Sequence, residues 1–282
     1  MSVALCTLCL NEMEWLPKLY QQHKGWPTME RWVFVEAADA MYQQANPHMV
    51  SRSGLSVDGT TEFLEDLAKQ DERVIHIPYG ISRDSDPAQG KCAARQEYLN
   101  AIEDLAPNMF VALDADEFWT YQMQQEITEI SEKTLNSYQG VSVQYRNIWR
   151  PPTIQDQPLF ESEIIGGFWS VWVCKIWRWG KGITYLGNHN SPRIGMYLLH
   201  RNLMRLDKKL RTPQFVHMGF ASSLPETRKA KNRYYVERGE GRTDHRGIYV
   251  ASRAAYETWK PGDKLPNGDR IIMYSGPVPE CF

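Results

Sequence analysis

Two aspartates, Asp114 and Asp116, follow a run of apolar residues that ends at Leu113. Side chains at positions i and i+2 of an extended chain project to the same side, so both carboxylates would face one ligand. Carboxylate oxygens are ligands that magnesium and manganese prefer, and such an ion can neutralise a departing diphosphate. The pair therefore predicts a divalent metal site, with magnesium or manganese, that binds a phosphorylated substrate.

The spacing of this pair is not specific by itself. Because the chain has 14 aspartates in 282 residues, an Asp-x-Asp tripeptide is expected about once by chance. Asp84-Ser85-Asp86 is a second copy, and we interpret it as a turn or solvated loop because it follows no predicted strand. The apolar strand before Asp114 is what distinguishes the first pair.

The elements that must position the acidic pair alternate along the first 120 residues. This alternation of β-rich runs and helical patterns is typical of a parallel sheet with crossover helices. The predicted strands are Val3–Leu8, Arg31–Glu36, Arg73–Pro78 and Asn108–Leu113. The predicted helices are Glu12–His23, Thr60–Gln70 and Lys91–Leu105, and a long loop is predicted over 38–57. Ligands bind at the carboxyl edge of such sheets, where Asp114 and Asp116 would lie.

The rest of the chain has weaker patterns, with strands predicted over 141–150 and 270–274. We expect one structural domain: a nucleotide-sugar-binding half over 1–120, an acceptor-binding half over 121–250, and a surface-wrapping tail over 251–282. The composition, 42% hydrophobic and 23% charged, is that of a globular protein.

Several protein classes are disfavoured by features that the sequence lacks. No apolar run approaches about 18 residues, and the start lacks a signal-peptide pattern, so we expect a cytoplasmic protein. Five irregularly spaced cysteines argue against a disulfide framework. The turn after the first strand, residues 8–12, contains no glycine, which disfavours dinucleotide-binding oxidoreductases. The chain also has no G-x-x-x-x-G-K-[ST] motif, which disfavours P-loop enzymes.

Five short motifs occur in order along residues 2–120. They are the strand and Asn-Glu turn from Val3 to Glu12, Glu36 at a strand end, Ser56-Val57-Asp58-Gly59-Thr60, Gly90-Lys91 with Ala94-Arg95, and Leu113-Asp114-Ala115-Asp116-Glu117. Together they resemble family 2 glycosyltransferases of GT-A fold. The resemblance implies an α/β fold with a Rossmann-like nucleotide-sugar-binding sheet, crossover helices and an acceptor-binding carboxyl-terminal half.

The resemblance also implies an activity and a set of donor-binding residues. The activity is metal-dependent transfer of a hexose from a nucleoside diphosphate sugar, with UDP-sugar favoured, to an acceptor hydroxyl with inversion. The residues implied to bind the nucleotide sugar are Leu10, Asn11, Glu12, Glu36, Lys91, Arg95, Asp114 and Ala115. One departure is Leu8-Cys9-Leu10, where the family often has Pro, Ser or Thr, and an aromatic residue.

Three residues nearer the carboxyl terminus extend this predicted site. His217 resembles a histidine that some GT-A enzymes place beside the metal, which makes it a predicted ligand with Asp114 and Asp116, or else a structural histidine. Lys229 and Arg233 stand at helical spacing and would close over the donor phosphates, or else coat a helix surface.

An inverting transferase needs a general base near the acceptor hydroxyl. His189-Asn190 resembles a His-Glu pair of one subfamily, and asparagine in place of the glutamate cannot accept a proton. We therefore predict His189 as the base, with Glu163 second, while a structural role for His189 stays open.

The acceptor is open at this point. A glycan or a lipid-linked saccharide is one class, and a hydroxylated DNA base is another. The DNA alternative comes from residues 201–246, which hold twelve Lys and Arg against five Asp and Glu, a balance of +7. A nucleotidyltransferase and a noncatalytic nucleotide-binding module are the alternatives from other classes.

Overall fold

The protein is described by a computed structural model. The described residues are 1–82, 87–149, 160–163, 172–180, 182–186, 192–194, 207–220, 222, 224, 226–227, 229–230, 233–234, 262, 270–273 and 281.

Strands and helices alternate through the first half, as the sequence predicts. The strands are β1 Val3–Cys9, β2 Met29–Asp39, β3 Val74–Ser82, β4 Met109–Ala112, β5 Glu117–Phe118, β6 Gly140–Trp149, β7 Phe160–Glu163, β8 Trp172–Arg178, β9 Ile183–Thr184, β10 Arg193–Ile194, β11 Asp207–Phe220 and β12 Arg270–Met273. The helices are α1 Leu16–His23, α2 Ala40–Ala45, α3 Thr60–Gln70, α4 Pro87–Ala101 and α5 Tyr121–Leu135, with a short 3₁₀ turn at Pro47–Met49. Residues 226, 227, 229, 230, 233 and 234 are also helical.

Within the described residues the main sheet has ten strands, and its parallel part is the amino-terminal half. β3, β2, β1 and β4 lie side by side and run parallel. β8 then pairs antiparallel with β4, and β6, β7 and β12 continue the sheet by antiparallel pairing. β11 pairs with both β6 and β5. The predicted α/β class, a parallel sheet with crossover helices, is confirmed.

The sheet is covered on both faces, because successive side chains of a strand point to opposite sides. In β1, Leu5 packs into one hydrophobic cluster with α1 and α3, while Cys6 packs into another with α4. Such burial explains why β1 is almost continuously apolar, as expected for a parallel strand between helical layers. The carboxyl ends of β1, β2 and β4 are thereby held at one edge.

The predicted elements are placed correctly, but several of their ends differ. α3 spans the predicted residues, while α4 begins and ends four residues earlier than predicted, with Pro87 suited to its first turn. α1 begins at Leu16, with Pro17 in its opening turn.

The prediction of a loop over 38–57 is wrong in its first part. β2 continues to Asp39, whose side chain accepts a hydrogen bond from the Tyr42 backbone at 2.7 Å and caps α2. An Asp cap is a local helix signal that the lack of periodicity in this stretch concealed. Among the described helices, none has both the length and the apolar character needed to cross a membrane.

Candidate functional site

The acidic turn between β4 and β5, residues 113–117, is closed by its own hydrogen bonds. The Asp114 backbone donates to a Glu117 carboxylate oxygen at 2.9 Å, and the Glu117 backbone donates to the Asp114 carbonyl at 3.1 Å. β5 then pairs with β11, which places His217 opposite Glu117. The turn is therefore fixed between the parallel sheet and a strand that lies about a hundred residues further along the chain.

Both carboxylate oxygens of Asp114 accept hydrogen bonds from cations. Arg95 of α4 donates to Oδ1 at 2.9 Å, and Lys175 of β8 donates to Oδ2 at 2.8 Å. Burial alone would raise the pKa of Asp114, but the charges of Lys175 and Arg95 lower it well below its usual range. Asp114 is thus an ionised carboxylate whose charge the protein already balances.

Asp116 lies next to His217. The nearest side-chain atoms, His217 Nε2 and Asp116 Oδ1, are 3.6 Å apart, and the Met218 backbone donates to the Asp116 carbonyl at 2.7 Å. A carboxylate and an imidazole are both ligand types that manganese accepts. Within the described ranges, no group of three or more His, Cys, Asp or Glu side chains is arranged to hold a metal ion. An ion at Asp116 and His217 would complete its coordination with substrate oxygens and water.

Lys175 is a site residue that sequence reasoning missed. Its ammonium lies 2.8 Å from Asp114 and 2.8 Å from Glu117, and its side chain is 9% exposed. Burial raises the pKa of Glu117 and the charge of Asp114 adds to that rise, against the opposing charge of Lys175, which results in a pKa of about 8. The one sequence signal was a lysine between apolar residues in a β-rich run, Val173 to Ile176.

A cavity of about 160 Å³ opens at the carboxyl ends of β1 and β2. Its lining combines apolar side chains with a few polar ones, which is typical of small-molecule sites. The lining residues are Leu8, Cys9, Leu10, Glu12, Ala37, Ala38, Asp39, Tyr42, Ser82, Gly90, Lys91, Ala94, Thr227 and Tyr234.

Helix α4 joins this cavity to the acidic turn. Lys91 lines the cavity, and Arg95, one helical turn later, binds Asp114. Gly90 allows the helix to approach β3 closely, because a Cβ atom at this position would lie 2.6 Å from Ser82 Oγ. Two of the predicted donor-binding cations therefore face the cavity and the acidic turn from one rigid element.

The segment after β2 and the helical residues near 230 close the outer side of the cavity. Tyr234 donates to Asp39 at 2.8 Å, and its ring lies 5.5 Å from the Lys91 ammonium. Asn46, fully buried, donates to the Ala230 carbonyl at 3.1 Å and accepts from Arg233 at 2.8 Å. Arg233, predicted to bind phosphate, thus joins the helical residues near 230 to Asn46, which follows α2.

Lys229, the other predicted phosphate-binding residue of this segment, lies in an exposed position. Its ammonium pairs with Glu226 at 3.1 Å, and both side chains are at least half exposed.

Glu36 and Asn11 bind the loop before α3. The fully buried Glu36 accepts from the Ser56 backbone and the Thr61 hydroxyl, both at 2.7 Å, and lies 3.0 Å from His76. Burial opposes ionisation, yet the hydrogen bonds from His76, Ser56 and Thr61 lower the pKa of Glu36. The Asn11 side chain accepts from the Val57 backbone at 2.9 Å. These contacts hold the loop before α3 against the ends of β1 and β2, next to the lining residues Leu10 and Ala37.

The remaining predicted residues fall in different places. Leu10 and Glu12 line the cavity, and Ala115 is buried within the acidic turn. His189 and the Asp84-Ser85-Asp86 tripeptide lie outside the described residues. The backbone of Glu163 is in β7, which β6 and β8 separate from β4.

Fold and site together define an α/β protein in which α4 links a cavity and an acidic turn, both at the carboxyl edge of a parallel sheet. No family model matches the sequence, and no curated protein matches it. Among solved structures, it is similar to S. aureus TarS 1-349 over 92% of this chain and 73% of that one, at 10% identity and TM-score 0.39. The same protein in complex with UDP-GlcNAc aligns over 91% and 72%, at 10% identity and TM-score 0.37. The mannosyltransferase PcManGT from Pyrobaculum calidifontis, in complex with GDP-Man and Mn²⁺, aligns over 90% and 69%, at 12% identity and TM-score 0.43.

Proposed function

We propose that the chain is a metal-dependent glycosyltransferase that transfers a hexose from a nucleoside diphosphate sugar to an acceptor hydroxyl, with inversion. The observation that carries this proposal is the position of α4, which presents Lys91 to the cavity and Arg95 to Asp114. A nucleoside in the cavity would place its diphosphate along this helix, toward Asp114 and Asp116. The order of the five sequence motifs supports the same activity.

A UDP-sugar is the proposed donor. Two carboxylates line the cavity, Glu12 and Asp39, and Asp39 stands at the end of β2. A carboxylate accepts a hydrogen bond from the imide N–H of uracil, which cytosine lacks. Glu36, three residues earlier and outside the cavity lining, would act by holding the Ser56 backbone in the loop before α3.

Asp116 and His217 fit a manganese or magnesium ion, because a carboxylate and an imidazole face each other 3.6 Å apart. When bound, the ion would act as a Lewis acid that stabilises the departing diphosphate. Asp114, predicted above as a third metal ligand, has both oxygens bound by Arg95 and Lys175, so we propose instead that it orients the donor by hydrogen bonding.

The test of the donor side is nucleotide-dependent stabilisation. UDP should raise the unfolding temperature of the wild type only with Mn²⁺, because the proposed ion would join the diphosphate to Asp116 and His217. A ligand at about 100 times its Kd stabilises the folded state by about 2.7 kcal/mol. Asp116→Asn should lose this shift, while Asp66→Asn, an aspartate on α3 with a 67% exposed side chain, should keep it. An undiminished shift in Asp116→Asn would refute the assigned metal ligand.

Turnover distinguishes the enzyme from the rival classes. UDP release from UDP-sugars should depend on an added acceptor, and the acceptors to compare are oligosaccharides, lipid-linked saccharides and DNA with a hydroxymethylated base. Tight Mn²⁺-dependent nucleotide binding without transfer to any of them would favour a noncatalytic module.

The general base is proposed to be His189, with Glu163 second. Replacing the base should lower kcat by about 10²–10⁴-fold with the donor KM unchanged. His189→Ala and Glu163→Gln, assayed side by side, identify which residue has this role.

A further inference from the structure

The Lys175 ammonium lies inside a cluster of acidic groups. Three acidic residues occupy positions 114, 116 and 117, and the ammonium binds two of them, Asp114 and Glu117, at 2.8 Å each. The lysine reaches the turn because β8 pairs with β4 in a register that places Ile176 opposite Val111. Continuing this register by one pair places Lys175 opposite Ala112, the last residue of β4 and two residues before Asp114.

A buried ammonium is costly unless it is paired. The side chains of Lys175 and Glu117 are 9% and 4% exposed, so bulk water screens this pair little. Lys175 thus supplies a positive charge that bridges the Asp114 carboxylate and the Glu117 carboxyl group, a position that a divalent ion could otherwise occupy. Arg95 donates to the other carboxylate oxygen of Asp114.

We propose that Lys175 is a built-in cation that takes the place of a second metal ion at the acidic turn. The bridge between Asp114 and Glu117 is occupied by the ammonium, and one divalent ion binds beside it, at Asp116 and His217. Lys175 is a positioning residue, since it acts through Asp114 and Glu117. This inference rests on the proposed function for the identity of the metal, and its test is separate.

The experiment compares three variants of the full chain at pH 8. Lys175→Met removes the charge at similar length, Lys175→Arg keeps the charge, and Lys69→Met removes a lysine from an exposed ion pair on α3. Bound Mn²⁺ is counted by the loss of the free-ion EPR signal, and Mn²⁺-dependent unfolding temperatures are measured in parallel. Neither readout depends on turnover.

We expect Lys175→Met to bind one more Mn²⁺ ion than the wild type and to gain more thermal stability from Mn²⁺. Lys175→Arg and Lys69→Met should match the wild type in the number of ions. If Lys175→Met is unfolded without metal, Mn²⁺ should restore its far-UV circular dichroism, because an ion that bridges Asp114 and Glu117 replaces the missing charge.

Equal stoichiometry and an equal Mn²⁺-dependent shift in Lys175→Met and the wild type would overturn the inference. An unfolded Lys175→Met that Mn²⁺ does not restore would overturn it as well. Failure of the wild type to bind Mn²⁺ even with UDP would instead count against the proposed site at Asp116 and His217. The comparison between the variant and the wild type remains valid in that case.

Discussion

His23 connects the end of α1 to the segment that follows the acidic turn, and its titration should make stability depend on pH. The Trp119 backbone N–H donates to Nε2 at 3.2 Å, so the ring is neutral, and its proton is on Nδ1, 3.0 Å from the Leu19 carbonyl. The side chain is fully buried. Burial lowers the pKa of His23 from 6.5 to about 3, although the Leu19 carbonyl opposes this shift.

The sign of the effect follows from the lowered pKa. Between pH 6.5 and about 3 the unfolded chain binds a proton at His23 that the folded chain does not, so stability falls as pH falls. Each pH unit in this window costs about 1.4 kcal/mol. From pH 7 to pH 5, integration of the titration predicts that this histidine alone lowers the free energy of unfolding by about 2 kcal/mol.

Urea denaturation of the wild type and His23→Gln at pH 7 and pH 5 measures this term. The variant should be about 1–3 kcal/mol less stable at pH 7, because Trp119 loses its acceptor. The difference in the free energy of unfolding between the wild type and the variant should then narrow by about 2 kcal/mol at pH 5, since glutamine does not titrate. His48→Gln, at an exposed histidine, is the matched control variant. A gap that stays constant would refute a neutral, buried His23.

Three further substitutions test the cavity and its edge. Asn46→Ala removes the buried partner of Arg233. It should lower the free energy of unfolding by about 1–3 kcal/mol in urea denaturation and weaken UDP binding. Unchanged binding would show that the cavity wall formed by the residues near 230 does not contact the nucleotide. Gly90→Ala should lower the free energy of unfolding by about 1–3 kcal/mol, because the added methyl group crowds Ser82. Ser82→Gly in the same chain should recover part of that loss. A fully stable Gly90→Ala would contradict the close approach of α4 to β3. Glu36→Gln should lower the free energy of unfolding by about 1–3 kcal/mol but leave the preference for UDP over CDP unchanged in thermal-shift assays. A changed preference would show that Glu36 contacts the nucleobase.

The donor half of the fold was predictable because its signals are local. The parallel strands are short runs of buried β-forming residues. The turn and cap residues Asp58 and Gly59 predict the start of α3 directly after them. The ends of elements were less predictable, as the four-residue displacement of α4 shows. A local pattern tells where an element exists, whereas its ends depend on caps and on neighbouring elements.

The candidate site likewise has a part that the sequence predicted and a part that it could not predict. Sequence order was sufficient to bring Lys91, Arg95 and Asp114 into one prediction, because α4 and β4 are consecutive elements of a parallel sheet. It could not assign partners to the carboxylates. Glu36 is bound by Ser56, Thr61 and His76, and these contacts exist only where the loop before α3 folds onto β2 and β3.

By itself, the sequence determined an α/β sheet with an acidic turn at its ligand-binding edge, since spacing within short segments is sufficient for both. Only the tertiary structure decided which charges meet there. Lys175 reaches Asp114 from 61 residues away because β8 pairs with β4, and Arg233 reaches Asn46 from 187 residues away. Such contacts depend on strand register and on packing between distant segments, and no periodicity in the chain encodes them.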